Sequence, residues 1–383
     1  MIKSADRLEH VGEYFFSQKL REIQELRQQG IDVINLGVGS PDMMPPKVVI
    51  DAVQLCSKQE DSHGYQSYTG LLELRQAISS FYKRNYQVAL DPSNQILPMM
   101  GSKEAIMHIS MTYLNKADQV LIPALGYPTY TSVTKLLECD PIFYPLQEDK
   151  NWEPDWQFFE SLDWSRIKLI WLNYPHMPTG ARGTREIFEK FVQLAKKNEV
   201  LVCHDNPYSF VLNQNPLSIF NIDGANEVAI ELNSLSKTFN MAGWRVGWVS
   251  GSADVISNIL KVKSNMDSGM FKPIQYGAIA ALNASNSWLD ENNLEYAFRQ
   301  KLAFQILELC EANFESEQSG MFVWGRIKET GAVFSDSLLK ETGVFLTPGF
   351  IFGDHGKHFI RISLCVTQER LKEAIQRLKK YLI

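Results

Sequence analysis

Apolar residues recur at helical spacing at the two ends of the chain and gather into short runs through its middle. From Arg7 to Gln29 apolar and charged positions alternate with a helical period, which predicts an amphipathic helix stopped by Gly30 and followed by a short strand at Val33–Leu36. A Gly- and Pro-rich crossing, "GVGSPDMMPP", comes next. From about residue 95 the apolar runs are separated by helical stretches, and strands are predicted at Gln119–Ile122, Pro141–Tyr144, Lys168–Leu172, Val200–His204, Val228–Leu232 and Arg245–Val249. A helix after Gly101 and another over Arg185–Lys197 read as crossovers, so the pattern is that of an α/β protein with a mostly parallel sheet. After about residue 285 it changes to long helices, then separated strands at Met321–Ile327, Val344–Thr347 and Phe359–Leu364. A closing helix begun by Thr367 buries Leu371, Ile375 and Leu378 at helical spacing. This tail reads as a smaller α+β domain.

Composition narrows the class without naming a chemistry. A chain of 383 residues exceeds one ordinary core, and 45% apolar with 21% charged residues is usual for a folded globular protein. The net charge of −6 and the absence of a Lys/Arg run give no footprint for nucleic acid. Charges at Arg7, Glu9, Glu13, Lys19 and Arg21 break the opening segment, which fits neither a signal peptide nor a membrane span, so a cytoplasmic protein without a membrane partner is expected. Cysteines at 56, 139, 203, 310 and 365 are odd in number and form no CxxC pair, so buried thiols are expected rather than disulfides, and no metal site. No strand is followed by a GxGxxG or Walker-type loop, which disfavours a plain nucleotide-binding domain.

The segment "SLSKTFNMAGWRVGW" carries the chemistry. Lys237 falls just beyond a predicted strand, where open α/β sheets place their ligands, and a lysine amine of depressed pKa can form an imine with a carbonyl cofactor. Ser234, Ser236 and Arg245 around it suit a phosphate dianion. "GSKEAI" at 101–106 opens a predicted helix, whose free amides would cradle the same group.

With these motifs in this order, the chain resembles the class I/II, fold-type I aminotransferases of the aspartate aminotransferase superfamily, over nearly its whole length. The resemblance implies pyridoxal 5′-phosphate as cofactor and a large domain built on a mostly parallel seven-stranded sheet. Residues 1–44 would form an N-terminal arm and part of the small domain, 45–284 the large cofactor-binding domain, and 285–383 the small C-terminal domain. It also implies a homodimer with shared active sites. Lys237 matches the Schiff-base lysine and proton carrier, while Ser102 and Lys103 match phosphate-contacting positions. Tyr127 in "PALGYPTY" matches the ring stacked on the cofactor, and Asp205 in "VLVCHDNPYS" the partner of its pyridine nitrogen. Tyr208 matches the donor to its 3′-oxygen. Tyr65 matches a tyrosine that crosses the dimer interface, with Tyr68 close by. Arg361 in "TPGFIFGDHGKHFIRIS" matches the arginine that grips the substrate α-carboxylate, and Gly39 in "LGVGSPD" a glycine lying against that carboxylate. One departure stands out. Relatives commonly place a 3′-oxygen-binding Asn where "NYPHMPTG" has Met177, which has no hydrogen to donate, so either His176 or Asn173 substitutes or Tyr208 acts alone.

The implied activity is ping-pong transfer of an amino group between an L-amino acid and a 2-oxo acid. A β-lyase or decarboxylase on the same fold, and a non-catalytic cofactor-binding sensor, are the alternatives; only some thirty residues precede Gly39, leaving no room for a helix-turn-helix extension. "KSNMDSGMFKPIQYGAIAAL" resembles the branch of LL-diaminopimelate and alanine-type aminotransferases, and no second substrate-binding arginine can be assigned.

Overall fold

The computed structural model describes residues 2–13 and 15–382; Met1, Tyr14 and Ile383, which the expected N-terminal arm, first helix and C-terminal domain take in, lie outside the described residues. Seven strands form the main sheet: β1 (Ile96–Met99), β2 (Gln119–Pro123), β3 (Asp140–Tyr144), β4 (Ile167–Leu172), β5 (Leu201–Asp205), β6 (Ala229–Ser234) and β7 (Gly247–Ser250). Their spatial order is β1-β7-β6-β5-β4-β2-β3, and only β7 runs against its neighbours. This is the mostly parallel seven-stranded sheet of the fold-type I expectation. The unbroken apolar runs follow from cover on both faces. Leu169 and Trp171 of β4 pack with Ile106 and Ile109 of helix α2 (Ser102–Tyr113), given that α1 spans Phe15–Gln28. Ile170 and Leu172 join a cluster holding Phe188 and Phe191 of α4 (Arg185–Asn198), while α3 (Pro128–Leu136) follows β2.

A second sheet, β8 (Phe322–Arg326), β9 (Thr347–Pro348) and β10 (Phe359–Ser363), is antiparallel with β10 in the middle. The last helix, Gln368–Leu382, buries Leu371, Ile375 and Leu378 as their spacing predicts. Residues 34–36 join this part of the molecule: Ile34–Asn35 pairs in parallel with Val344–Phe345, and Ser363 N donates to Leu36 O. All five cysteines are free and buried. No helix among the described residues is long and apolar enough to cross a membrane.

Several boundaries differ from expectation for local reasons. The predicted first helix is two pieces, a 3₁₀ turn at Asp6–His10 and then α1, because Val11 is extended and Gly12 favours no helix between them. The predicted strand at Val33–Leu36 shrinks to Ile34–Asn35. Strand β1 is not among the predicted strands, and its Pro98 is tolerated at the sheet edge. The strand expected from Arg245 starts at Gly247, because Arg245 takes a left-handed backbone with φ of 57°. Reversal of β7 sets the site, because its first residues then lie beside the carboxyl ends of β1 and β6, with Gly247 opposite both Met99 and Ser234.

Candidate active site

The carboxyl ends of the parallel strands deliver their next residues to one cleft of about 420 Å³. Asp205 ends β5, and Ser234 ends β6, from which a single helical turn, α5 (Leu235–Thr238), departs. The Ser234 hydroxyl accepts from Ser236 N at 3.0 Å and donates to Val246 O at 3.2 Å, so it caps the turn that carries Lys237. Lys237 lines the cleft, and its amine donates to the Gly39 carbonyl. Burial lowers this amine's pKa; the neighbouring Cys365 opposes the shift, and Arg361 and Arg245 add to it. A lowered pKa favours the neutral, nucleophilic form of the amine.

Asp205 is buried, and its Oδ2 accepts from the Tyr130 hydroxyl at 2.7 Å. Burial pushes its pKa up to about 6 despite that bond and the nearby His204. Its Oδ1 is also buried, with no hydrogen-bond partner among the described residues. A buried carboxylate oxygen left so is costly unless a ligand donor meets it. The ring of Tyr130 stacks on Trp171, with centroids 5.0 Å apart and planes 8° from parallel.

At the other end of the cleft, α2 begins after Gly101 with no side chain capping it, so its first amides are open. Arg245 crosses this helix start. A Cβ on Gly101 would crowd Arg245 Nη2 at 2.2 Å, and the φ of +87° is left-handed, which favours glycine. Ser102, Lys103, Ser236 and Arg245 all line the cleft here. An open helix start beside a guanidinium and hydroxyls is an anion site.

Arg361, from the middle strand β10, is buried and donates from Nη2 to Gly37 O at 2.8 Å. Its guanidinium carbon lies 3.8 Å from the centre of the Phe322 ring and 4.6 Å from that of Phe352. Tyr127, just before α3, meets Tyr130 edge to face, and Tyr208 meets Phe322 in the same way. Both tyrosines line the cleft.

The cleft thus gathers Lys237, Asp205, Ser102, Lys103, Tyr127, Tyr208, Ser234, Ser236, Arg245, Gly39 and Arg361. Tyr65 is 93% exposed and outside the cleft of its own chain, as is the half-exposed Tyr68. A Cβ on Gly39 would lie 2.2 Å from the Phe322 ring, so the Phe322 ring crowds this position. Met177 lines the cleft with Sδ 3.4 Å from Arg361 Nη1. Both His176 ring nitrogens are engaged, by Thr179 and the Leu125 carbonyl, while Asn173, which also lines the cleft, gives one amide hydrogen to the Asp205 carbonyl and accepts from Met177 N. Tyr130 was missed from sequence, although it lies one helical turn from Tyr127; Phe16, near the Arg361 guanidinium, carried no signal at all.

These residues fit pyridoxal 5′-phosphate, with an anion site, flanking rings, an orphaned acid oxygen for a ring N–H and an amine for an aldehyde. The sequence pattern of aminotransferase class I and II matches residues 31–378. The chain is 39% identical to an LL-diaminopimelate aminotransferase of Oleidesulfovibrio alaskensis over 98% of both chains. It is 36% identical to one of Halothermothrix orenii, over 99% of this chain and 98% of that one. Among solved structures, substrate-bound BacF from Bacillus subtilis superimposes with a TM-score of 0.94 at 32% identity, covering 100% of this chain and 98% of the other. The chain therefore belongs to the class I and II aminotransferases, enzymes that transfer an amino group with pyridoxal 5′-phosphate.

Proposed function

We propose that Lys237 is the residue joined covalently to pyridoxal 5′-phosphate and the group that moves the substrate's α-proton in a ping-pong exchange between an L-amino acid and a 2-oxo acid. The observation that carries this reading is a half-buried amine of lowered pKa in the same cleft as a buried carboxylate oxygen that lacks a donor among the described residues. Bound there, the cofactor supplies a carbonyl carbon for amine capture and a protonated ring that draws in the electron pair left by the α-proton. Asp205 holds the ring nitrogen protonated. Ser102, Lys103, Ser236, Arg245 and the open start of α2 hold the phosphate, while Ser234 keeps the lysine turn in place. Tyr127 covers one face of the ring and excludes water. Arg361 orients the substrate through its α-carboxylate, with the Gly39 backbone alongside, so that the α-hydrogen faces Lys237 Nζ. Reduction of the cofactor-loaded protein with borohydride, followed by peptide mapping, is expected to label only the Lys237 peptide; a label elsewhere, or none, refutes the assignment.

With Met177 unable to donate, Tyr208 and the second amide hydrogen of Asn173 are the side-chain donors we assign to the 3′-oxygen. Met177→Asn adds a donor that favours the anionic oxygen, so the pH midpoint of the cofactor's visible absorption change is expected to fall by about one unit. An unchanged midpoint would remove Met177 from this role.

The assembly we propose is a homodimer. Tyr65, Tyr68, Met266 and Phe271 are exposed, and their two segments lie together, with His63 and Phe271 rings 5.9 Å apart and Lys272 bonded to Asp61. An apolar patch of this kind suits a second copy, which Tyr65 would reach. A single-chain mass in sedimentation equilibrium of the loaded protein would count against it. Residues 1–44, 45–284 and 285–383 are the units we assign to arm, cofactor domain and small domain. Free, buried cysteines suit a reducing compartment, here the cytoplasm.

A further inference from the structure

The end of the cleft beyond Arg361 is walled by apolar side chains. Phe322, Phe352 and Phe16 place their ring centres 3.8, 4.6 and 5.6 Å from the guanidinium carbon. Leu20, one turn after Phe16 on α1, lines the cleft with Val38 and Met177. A substrate whose α-carboxylate sits on Arg361 would therefore direct its side chain among rings and aliphatic groups.

Charges in the cleft leave little for a distal ionised group. Among the described lining residues Asp205 is the only carboxylate, and it stands at the ring-nitrogen position. The lining cations are Lys237, Arg361, and Lys103 and Arg245 at the α2 start. Lys19, the cation of α1 next to Leu20, turns away to Asp336 at 2.9 Å and Glu22 at 2.6 Å. In the proposed dimer the segments presented to the neighbouring cleft are 59–72 and 264–271, and neither contains Lys or Arg. Of their acids Glu60, Asp61 and Asp267, Asp61 and Asp267 are each paired with a lysine, Lys272 and Lys263.

Resting on the reading of this cleft as an aminotransferase site, we propose that its substrates are amino acids and 2-oxo acids with an apolar, aromatic or branched aliphatic side chain. A distal carboxylate or ammonium would be desolvated against Phe16, Leu20 and Phe352 without a counter-charge, which discriminates far more strongly than one methylene more or less. The LL-diaminopimelate of the relatives' names bears both charges at its far end.

The test mixes the cofactor-loaded enzyme with one amino donor at a time, without acceptor, and follows loss of its visible absorbance. L-Phenylalanine, L-leucine and L-methionine are compared with L-aspartate, L-glutamate and LL-diaminopimelate. The best apolar donor is expected to exceed each charged donor at least tenfold in second-order rate; any charged donor within tenfold of it overturns the proposal. Failure of the aminotransferase reading is distinct, because then no donor changes the absorbance and borohydride labels no Lys237 peptide. Leu20 is 43% exposed, so Leu20→Arg places a cation at the wall without disturbing the core. It is expected to raise the glutamate-to-leucine rate ratio at least tenfold, and an unchanged ratio overturns the assignment of α1 as the side-chain wall.

Discussion

Lys237→Ala is expected to lower turnover by about 10⁴-fold or more, while the protein still takes up pyridoxal 5′-phosphate without a covalent bond. General acid–base catalysis by one side chain is worth roughly 10²–10⁴-fold, and this substitution also removes the covalent anchor. The Lys237 amine donates to the Gly39 carbonyl, so its removal leaves one backbone acceptor open to the cleft and disturbs no packed apolar cluster. Apart from Ser236, which shares the α5 turn capped by Ser234, the phosphate and ring-nitrogen sites stand on other elements, α2, β5 and the turn before β7, and stay intact. Single-turnover absorbance with an amino donor, beside equilibrium dialysis of the cofactor, separates loss of chemistry from loss of binding. If the variant kept more than about one hundredth of the wild-type rate, another base would have to move the proton, since so small a loss is at the bottom of the range for such a group.

Much of this architecture was legible because it is written locally. The runs at β4, β5 and β6 are mostly apolar, as strands covered on both faces are, and Asp205 and Lys237 come at or just beyond their carboxyl ends. What stayed hidden depends on contacts between distant segments. Nothing near Gly39 announces that the Phe322 ring will press on it, and nothing in α1 tells that Phe16 will face Arg361 across more than three hundred residues. The left-handed Arg245 was read as a strand start because its neighbours are apolar; the opening at Gly101 that accommodates its guanidinium lies far off in sequence. Tyr130 was legible in principle, since Pro128 starts a helix that sets Tyr127 and Tyr130 one turn apart. His204 and Glu231 form a buried pair at 3.0 Å behind Asp205, and each reads in sequence as an ordinary residue of a strand.

Asp205→Asn separates the catalytic use of this carboxylate from its structural cost. Turnover is expected to fall by about 10²–10³-fold, the usual loss when one preorganised electrostatic partner is removed from a buried site, because an amide cannot keep the ring nitrogen protonated. Stability of the cofactor-free protein should move the other way. Burial raises the Asp205 pKa from 3.8 to about 6. A carboxyl group with a raised folded-state pKa contributes stability below its unfolded value and loses it as pH rises through the folded one. The wild-type protein without cofactor therefore gives up roughly 3 kcal/mol between about pH 4 and pH 6 that the uncharged amide does not. Asn can still accept from the Tyr130 hydroxyl, so the main packing is retained. The gain in melting temperature of the cofactor-free variant should be small near pH 4, grow through pH 6 and level off above it. Adding pyridoxal 5′-phosphate should reverse the order, since only the wild-type carboxylate then meets a positive ring. A variant less stable than wild type at pH 8 without cofactor would mean that Asp205 is already paired within the protein, and the case for its orphaned oxygen awaiting the ring nitrogen would fall.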